Sequence, residues 1–415
     1  MIKQYLNLPR AIHVLCVGAF INRAGTFLVP FLTLYLQKEL GLSTGFATRA
    51  MGAYGFGSIV AFLAGGHLAD LIGRRAVMLI SLCGGAAILL IFGSLSSPWM
   101  ITLALVCFAV VAEMYRPAAS AMIADLVSSD HRAHAFSLMY VSINLGFSAA
   151  AAIGGWLAQY SFQWLFLGDA LTAMIYAVII FATIRETLPP RLGTSGNSAL
   201  KPAGQGNTKN DTASTPLAEA IVHILRDRVF MIFCLGTFCV AVVIMQALST
   251  FPLHLQARGM GADTYGRIIA VNGLMIAFLQ LPTTSLAARF DRGLMVVLSA
   301  VITTIGFGLI GVAVTPWHFT LTVVIWTCGE MINAPLTSAI VSDLAPVHLR
   351  ARYMGVFSMC FSVALMIGVP LGGMVLERFG GDHLWGGSAA VGMTAAALYW
   401  VVRRQMRPPP SRDSS

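Results

Sequence analysis

Glu113, Arg116 and Glu330 stand inside stretches of the chain that are otherwise almost wholly apolar. An ionised side chain in the middle of a bilayer costs ~2.5–3.5 kcal/mol on insertion scales, so it needs a partner or a task. Glu113 follows Trp99 by fourteen residues, about 21 Å along a helix at ~1.5 Å per residue. Arg116 and Ser120 come three and seven residues later, on the same helical face. Glu330, Asn333 and Thr337 repeat that stripe further on. Two such stripes predict a polar-lined central cavity. A carboxylate that alternates between an arginine partner and a proton is suited to coupling; the structural alternative is an internal ion pair that locks one helix to its neighbours. Asn22, Thr26 and Thr33 share a helical face, and Arg23, beside Asn22, can hold an anionic substrate group or pair with Glu113 or Asp169. Asp169 begins a later apolar segment near its surface end. There it serves as a proton or cation site, or else snorkels or caps. Gln246, His254, Asn272 and Gln280 read as cavity or helix-packing hydrogen bonds.

The elements that must position these groups are long. Twelve apolar segments lie near 11–36, 47–69, 76–95, 99–124, 134–158, 163–184, 229–255, 265–287, 294–315, 317–342, 353–376 and 384–402. Each approaches the ~20 residues a helix needs to span a bilayer. Of the 415 residues 57% are hydrophobic and 10% charged, against ~25% charged in soluble domains. The reading is an all-α integral membrane protein of twelve transmembrane helices in two pseudo-symmetric six-helix bundles. Residues 1–185 form the first bundle, 186–226 a cytoplasmic linker, 227–406 the second bundle and 407–415 a disordered tail. The linker is rich in Gly, Ser, Thr, Asn and Pro and buries too little apolar surface to order itself; 217–228 can begin as a short surface helix.

The net charge of +9 follows topology. With a cytoplasmic N-terminus, only Lys38, Arg49, Arg258, Arg267 and Arg378 fall on the outer side, and Arg23 and Arg116 lie within the membrane. The other Lys and Arg residues are cytoplasmic, a strong positive-inside signal. Both termini are thus expected in the cytoplasm of a prokaryotic inner membrane, and nucleic acid is not an expected partner. The seven cysteines lie in apolar segments without CxxC spacing. No disulfide, metal site or cofactor is expected.

The halves repeat. Glu113-Met114-Tyr115-Arg116-Pro117 is echoed by Glu330-Met331-Ile332-Asn333-Ala334-Pro335. Each proline precedes an aspartate by eight residues, Asp125 or Asp343, and an arginine by fifteen, Arg132 or Arg350. Between the second and third segments stands Gly66-His67-Leu68-Ala69-Asp70-Leu71-Ile72-Gly73-Arg74-Arg75. This resembles the G-x-L-A-D-x-x-G-R-[RK] signature of the major facilitator superfamily, and with the repeat the resemblance covers essentially the whole chain. Gly66 is expected to let helices approach closely and Gly73 to permit a tight reversal. Asp70 with Arg74 and Arg75 is expected to form a conformational latch, extended by Asp125 with Arg132 and by Asp343 with Arg350. The alternative is anchoring and solvated loop charge. The second-half remnant, Arg289-Phe290-Asp291-Arg292-Gly293, is expected to be weaker.

The fifth segment keeps Gly146, Gly154 and Gly155 of the G-x-x-x-G-P-x-x-G-G pattern of drug–proton antiporters. It has Ala150 and Ala151 where the second glycine and the proline belong. The resemblance implies a transporter and not an enzyme, a monomer in the lipid bilayer whose partners are protons and a small-molecule substrate. Proton-coupled export of drug-like or amphipathic metabolites by alternating access is the first expectation. Proton-coupled uptake of a small anionic or zwitterionic solute is the second, and a membrane-embedded enzyme or receptor the third. Glu113, Glu330 and Asp169 are assigned to proton coupling. Asn22, Arg23, Thr26, Arg116, Ser120, Gln246, Asn333 and Thr337 are assigned to the substrate cavity.

Overall fold

The structure, a computed structural model, describes residues 8–187, 217–346 and 349–406; the expected linker beyond residue 187 and the tail from 407 lie outside them. All elements among the described residues are helical. The first six spans are α1 (Arg10–Glu39), α2 (Thr44–Ile72), α3 (Arg74–Phe92), α4 (Pro98–Leu126), α5 (His134–Leu157) and α6 (Gln163–Thr183). The next five are α7 (Arg228–Leu248), α8 (Ala262–Ala287), α9 (Arg292–Leu309), α10 (Pro316–Leu344) and α11 (Arg352–Phe379). These eleven are long and apolar enough to cross a membrane. The twelfth, α12 (Gly381–Val402), has 22 residues, about 33 Å of helix; Asp382, His383 and four glycines dilute its hydropathy. The helix Leu217–Arg226 precedes α7, with Ile224 buried and Val222 and Leu225 exposed.

Three spans, α1, α4 and α11, are interrupted, and α10 carries a proline within a continuous helix. In α1 the helix stops at Ala24 and resumes at Leu28. In α4 it breaks at Met114, between Glu113 and Tyr115. Pro117 explains that break, since it cannot donate to the carbonyl four residues back, that of Glu113. In α10, Pro335 likewise frees the carbonyl of Met331, and Gln280 Nε2 of α8 takes it up at 2.9 Å. In α11 a wide turn at Ala364–Gly368 precedes Pro370.

An even number of spans returns the chain to the face where it began, here called the terminal face. At the opposite, far face the halves are sealed together. Glycines set the approach: a Cβ on Gly155 of α5 would lie 2.7 Å from the Ala262 carbonyl oxygen, and one on Gly266 of α8 would strike the Ala151 carbonyl. Gly52 and Gly55 of α2 admit Pro370 and Met366 of α11 in the same way. Thr33 Oγ1 donates across the seam to the Ser249 carbonyl at 3.0 Å, and Ser148 Oγ to that of Ala270 at 2.8 Å. Phe31 packs edge-on against Tyr265 with centroids 5.5 Å apart.

The apolar cores report the same asymmetry. At the far face one core runs through both halves, joining Phe31 and Leu36 to Phe251, Tyr265 and Trp385. At the terminal face the second half has a separate core around Phe230, Phe233, Tyr353 and Tyr399. The molecule is closed at the far face and divided at the terminal face.

Candidate functional site

The kink in α4 turns Glu113 inward, where its residue is 9% exposed. Both carboxylate oxygens are occupied. Tyr54 of α2 donates its hydroxyl to Oε1 at 2.6 Å, and Arg116 Nε lies 2.7 Å from Oε2. The Arg116 side chain is half exposed. At this depth an exposed guanidinium demands water, so it marks the divide between the halves rather than lipid. Tyr54 was not legible in the sequence, being one tyrosine in a Gly/Ala-rich helix with no spacing to tie it to α4.

The break in α1 brings Arg23 to the same place. Thr26 Oγ1 donates to the Asn22 carbonyl at 3.0 Å. Asp169 of α6 accepts from the Leu28 backbone N–H at 3.3 Å, at the restart of the helix. Asp169 is 4% exposed. It therefore caps, as one expectation had it, and does not snorkel. Asn22, Arg23, Thr26, Tyr54, Glu113, Arg116 and Asp169 line one cavity of about 60 Å³ with side chains from α1, α2, α3, α4 and α6. That volume holds a few waters. Drug-sized ligands need roughly 300–1,000 Å³, so this cavity is too small for one.

The second half is built differently. Glu330 is held by Asn272 Nδ2 of α8 at 2.8 Å, and the same amide reaches Thr327 Oγ1 at 3.0 Å. Its hydrogen-bond partner is neutral. The rest of the expected α10 stripe packs: Asn333 Nδ2 donates to Ser299 Oγ at 2.9 Å, and Thr337 Oγ1 to the Asn333 carbonyl at 2.9 Å. Gln246 spends its amide on the carbonyls of Val242 and Gly368 and accepts from Thr250. Ser120 is exposed and lies outside the Glu113 cavity. Asn333, Thr337 and Gln246 thus hold helices together here, because buried amides and hydroxyls take the nearest carbonyls.

The signature segment folds as a network within the first half. Gly73 adopts φ 104°, the reversal between α2 and α3. Arg74 lies 3.2 Å from Asp70 and 3.1 Å from Asp125. Glu186, assigned by sequence to the linker, accepts from the backbone N–H groups of Arg74 and Arg75 at 3.0 and 3.1 Å. It thereby caps α3 at its positive end. Arg75 donates to the Phe181 carbonyl at 2.6 Å. Two expectations are corrected. A Cβ on Gly66 would meet nothing, whereas one on its neighbour Gly65 would lie 3.0 Å from Met114 and Pro117; the helix face that packs is one residue away. Asp125 joins Arg74 and Thr187 rather than Arg132, whose side chain is exposed. In the second half Arg292 pairs with Asp343 at 2.9 Å, the counterpart of Arg74 with Asp125, while Arg350 donates to the Ser342 carbonyl at 3.1 Å. Ala288 occupies the place of Asp70, so one leg of that network is missing.

Ion pairs whose carboxylates face solvent, as those of Asp70, Asp125 and Asp343 do, are worth ~0–1 kcal/mol each. Arg74→Ala removes two and Arg292→Ala one. Thermal unfolding in detergent is expected to rank Arg74→Ala below Arg292→Ala, with the larger loss about 1 kcal/mol. The reverse order would contradict the network.

The pattern of the Major Facilitator Superfamily matches residues 15–348 and 256–415. The chain belongs to that family. It is 23% identical over 98% of its length, and 96% of the relative's, to the uncharacterized MFS-type transporter YqjV of Bacillus subtilis. It is 25% identical to a Na(+), Li(+), K(+)/H(+) antiporter of Planococcus maritimus, covering 86% and 88% of the two chains. It is 23% identical to the multidrug resistance protein MdtH of Cronobacter sakazakii, covering 95% and 94%. Its fold is similar to that of a POT family transporter crystallised with a thioalcohol-conjugated peptide, with TM-score 0.75, 16% identity and 97% and 99% coverage. It is also similar to a D-xylose–proton symporter, with TM-score 0.74, 15% identity and 97% and 98% coverage. This superfamily transporter is an integral membrane protein, and its fold is the one its repeat implied.

Proposed function

We propose that this transporter exports drug-like or amphipathic metabolites across a prokaryotic inner membrane in exchange for protons. The observation that carries the reading is the contrast between the two intramembrane carboxylates. Glu113 is saturated by Arg116 and Tyr54, so protonating it means breaking an ion pair. Glu330 has a neutral amide as its hydrogen-bond partner and can exchange a proton without that loss. Proton binding at Glu330 and substrate binding would favour different arrangements of the halves, since only differential affinity shifts such an equilibrium. The positive-inside bias supports cytoplasmic termini, which makes the divided terminal face the cytoplasmic one and this conformation inward-facing. The multidrug resistance relative and the cation/proton antiporter relative support export and antiport.

A second reading, proton-coupled uptake of a small anionic or zwitterionic solute, draws on Arg23, which lines the cavity and forms no ion pair among the described residues. Proteoliposomes with an imposed pH gradient separate the two. Expulsion of substrate driven by an inward proton gradient supports export. Accumulation under the same gradient, with no resistance conferred on cells expressing the protein, overturns export in favour of uptake. A thermal-shift screen of amphipathic ligands on the purified chain identifies the substrate to use.

A further inference from the structure

A second cavity, of about 470 Å³, opens at the far face between the halves. It is distinct from the Glu113 cavity and lies at the opposite side of the far-face seal from the terminal-face divide. Its polar lining consists mainly of acceptors. Glu377 and Asp382 bring two carboxylates from the α11–α12 turn, and neither forms a salt bridge among the described residues. Gln37 of α1 spends Nε2 on Thr44 Oγ1 at 3.0 Å, which leaves its buried Oε1 without a partner. His254 is 4% exposed, its ring lines the cavity, and its Nε2 has no hydrogen-bond partner. Buried polar atoms are almost always paired, so Gln37 Oε1 is the mark of an absent donor and His254 Nε2, an acceptor in one tautomer, that of an absent partner.

The basic groups nearby are partly committed. Arg258 also lines the cavity, but its guanidinium donates to the carbonyls of Ala313 and Gly311. The Arg49 guanidinium and the Glu377 carboxylate both flank Gly45 of α2, without a salt bridge between them among the described residues. Phe379 and Leu376 supply apolar wall. The volume falls in the roughly 300–1,000 Å³ range of small-molecule sites.

We infer that this far-face vestibule is a binding site for a primary-amine organic cation with a short apolar body, its ammonium held by Asp382 and Glu377 and its N–H groups reaching Gln37 or His254. An ammonium has three donors and no acceptor, which matches a lining of unpaired acceptors. Three or more metal-ligating side chains do not cluster among the described residues, which favours an organic cation over a metal ion. The inference concerns binding alone and stands for either direction of transport.

The test is calorimetry on the full chain in nanodiscs with phenethylamine, and with 2-phenylethanol as its uncharged analogue. Phenethylamine is expected to bind saturably and the alcohol about tenfold more weakly or worse, the scale of a charge-assisted hydrogen bond. Asp382→Asn combined with Glu377→Gln is expected to remove about the same factor. Glu39→Gln, near the same face but outside the lining, is expected to leave binding unchanged. Absence of saturable binding, or equal binding of amine and alcohol by the unaltered protein, overturns the inference without any variant. Unchanged binding of phenethylamine by Asp382→Asn/Glu377→Gln overturns it by moving the ligand away from this vestibule.

Discussion

Glu330→Gln is expected to abolish accumulation of substrate against its gradient while sparing exchange of substrate for substrate. Glutamine keeps the acceptor that Asn272 uses at 2.8 Å, so α8 and α10 stay joined, and it cannot take up a proton. The two halves can still rearrange around bound substrate, and counterflow in proteoliposomes continues. What disappears is the response to a pH gradient. Glu113→Gln is a different experiment. It strips Arg116 of its partner and weakens the Tyr54 contact. Breaking a buried pair costs ~3–5 kcal/mol, less here because Arg116 is half exposed. Its expected signature is a lower yield of folded protein in addition to lost transport. Should Glu330→Gln continue to concentrate substrate under a proton gradient, the assignment of coupling to this residue is wrong.

Gly266→Val is expected to force the far face apart. The added Cβ would strike the Ala151 carbonyl and come within 2.9 Å of Gly155 Cα, and backbone atoms cannot swing away as a side chain can. Overpacking of this kind costs roughly 1–3 kcal/mol, which is about a five- to 150-fold shift in an equilibrium. The shift favours the arrangement in which α5 and α8 separate at this level. Ser249, fully buried at the seam where its carbonyl accepts from Thr33, reports it. In a Ser249→Cys background the variant is expected to react with an impermeant maleimide at least several-fold faster. An unchanged labelling rate, with normal folding and transport, would show that this seam is not what closes the far face.

The sequence revealed what is periodic and long. Apolar runs of membrane length, the repeat around Pro117 and Pro335, and the reversal at Gly73 were all legible because each is a local pattern with one physical cause. The ion pair of Glu113 with Arg116 was legible for the same reason, as an i,i+3 spacing on a single helix. What failed was tertiary. Nothing local ties Tyr54 to Glu113, 59 residues away. Nor does spacing along α2 reveal that Gly65 rather than Gly66 faces α4, because one residue rotates the helix by ~100°. The stripe of α10 was sound as a helical face, yet Asn333 and Thr337 turned to Ser299 and a backbone carbonyl. One missed contact did leave a trace. Arg292 and Asp343 are 51 residues apart, the same interval as Arg74 and Asp125, so the duplication itself pointed to the second ion pair.

The central claim is that the two halves expose one set of buried charges first to one side and then to the other, with Glu330 setting the balance. Spin-label distances test it directly. One pair, Phe136→Cys with Leu286→Cys, spans the terminal-face divide from exposed positions on α5 and α8. The other, Lys38→Cys with His383→Cys, spans the far-face seam from exposed positions. Both are made with the exposed Cys83 and Cys107 replaced by serine. Acidification from mildly alkaline pH is expected to change the two distances in opposite directions. Glu330→Gln is expected to give the acid-side distances at every pH. Distances that move together, or that follow pH equally well in Glu330→Gln, would contradict the account.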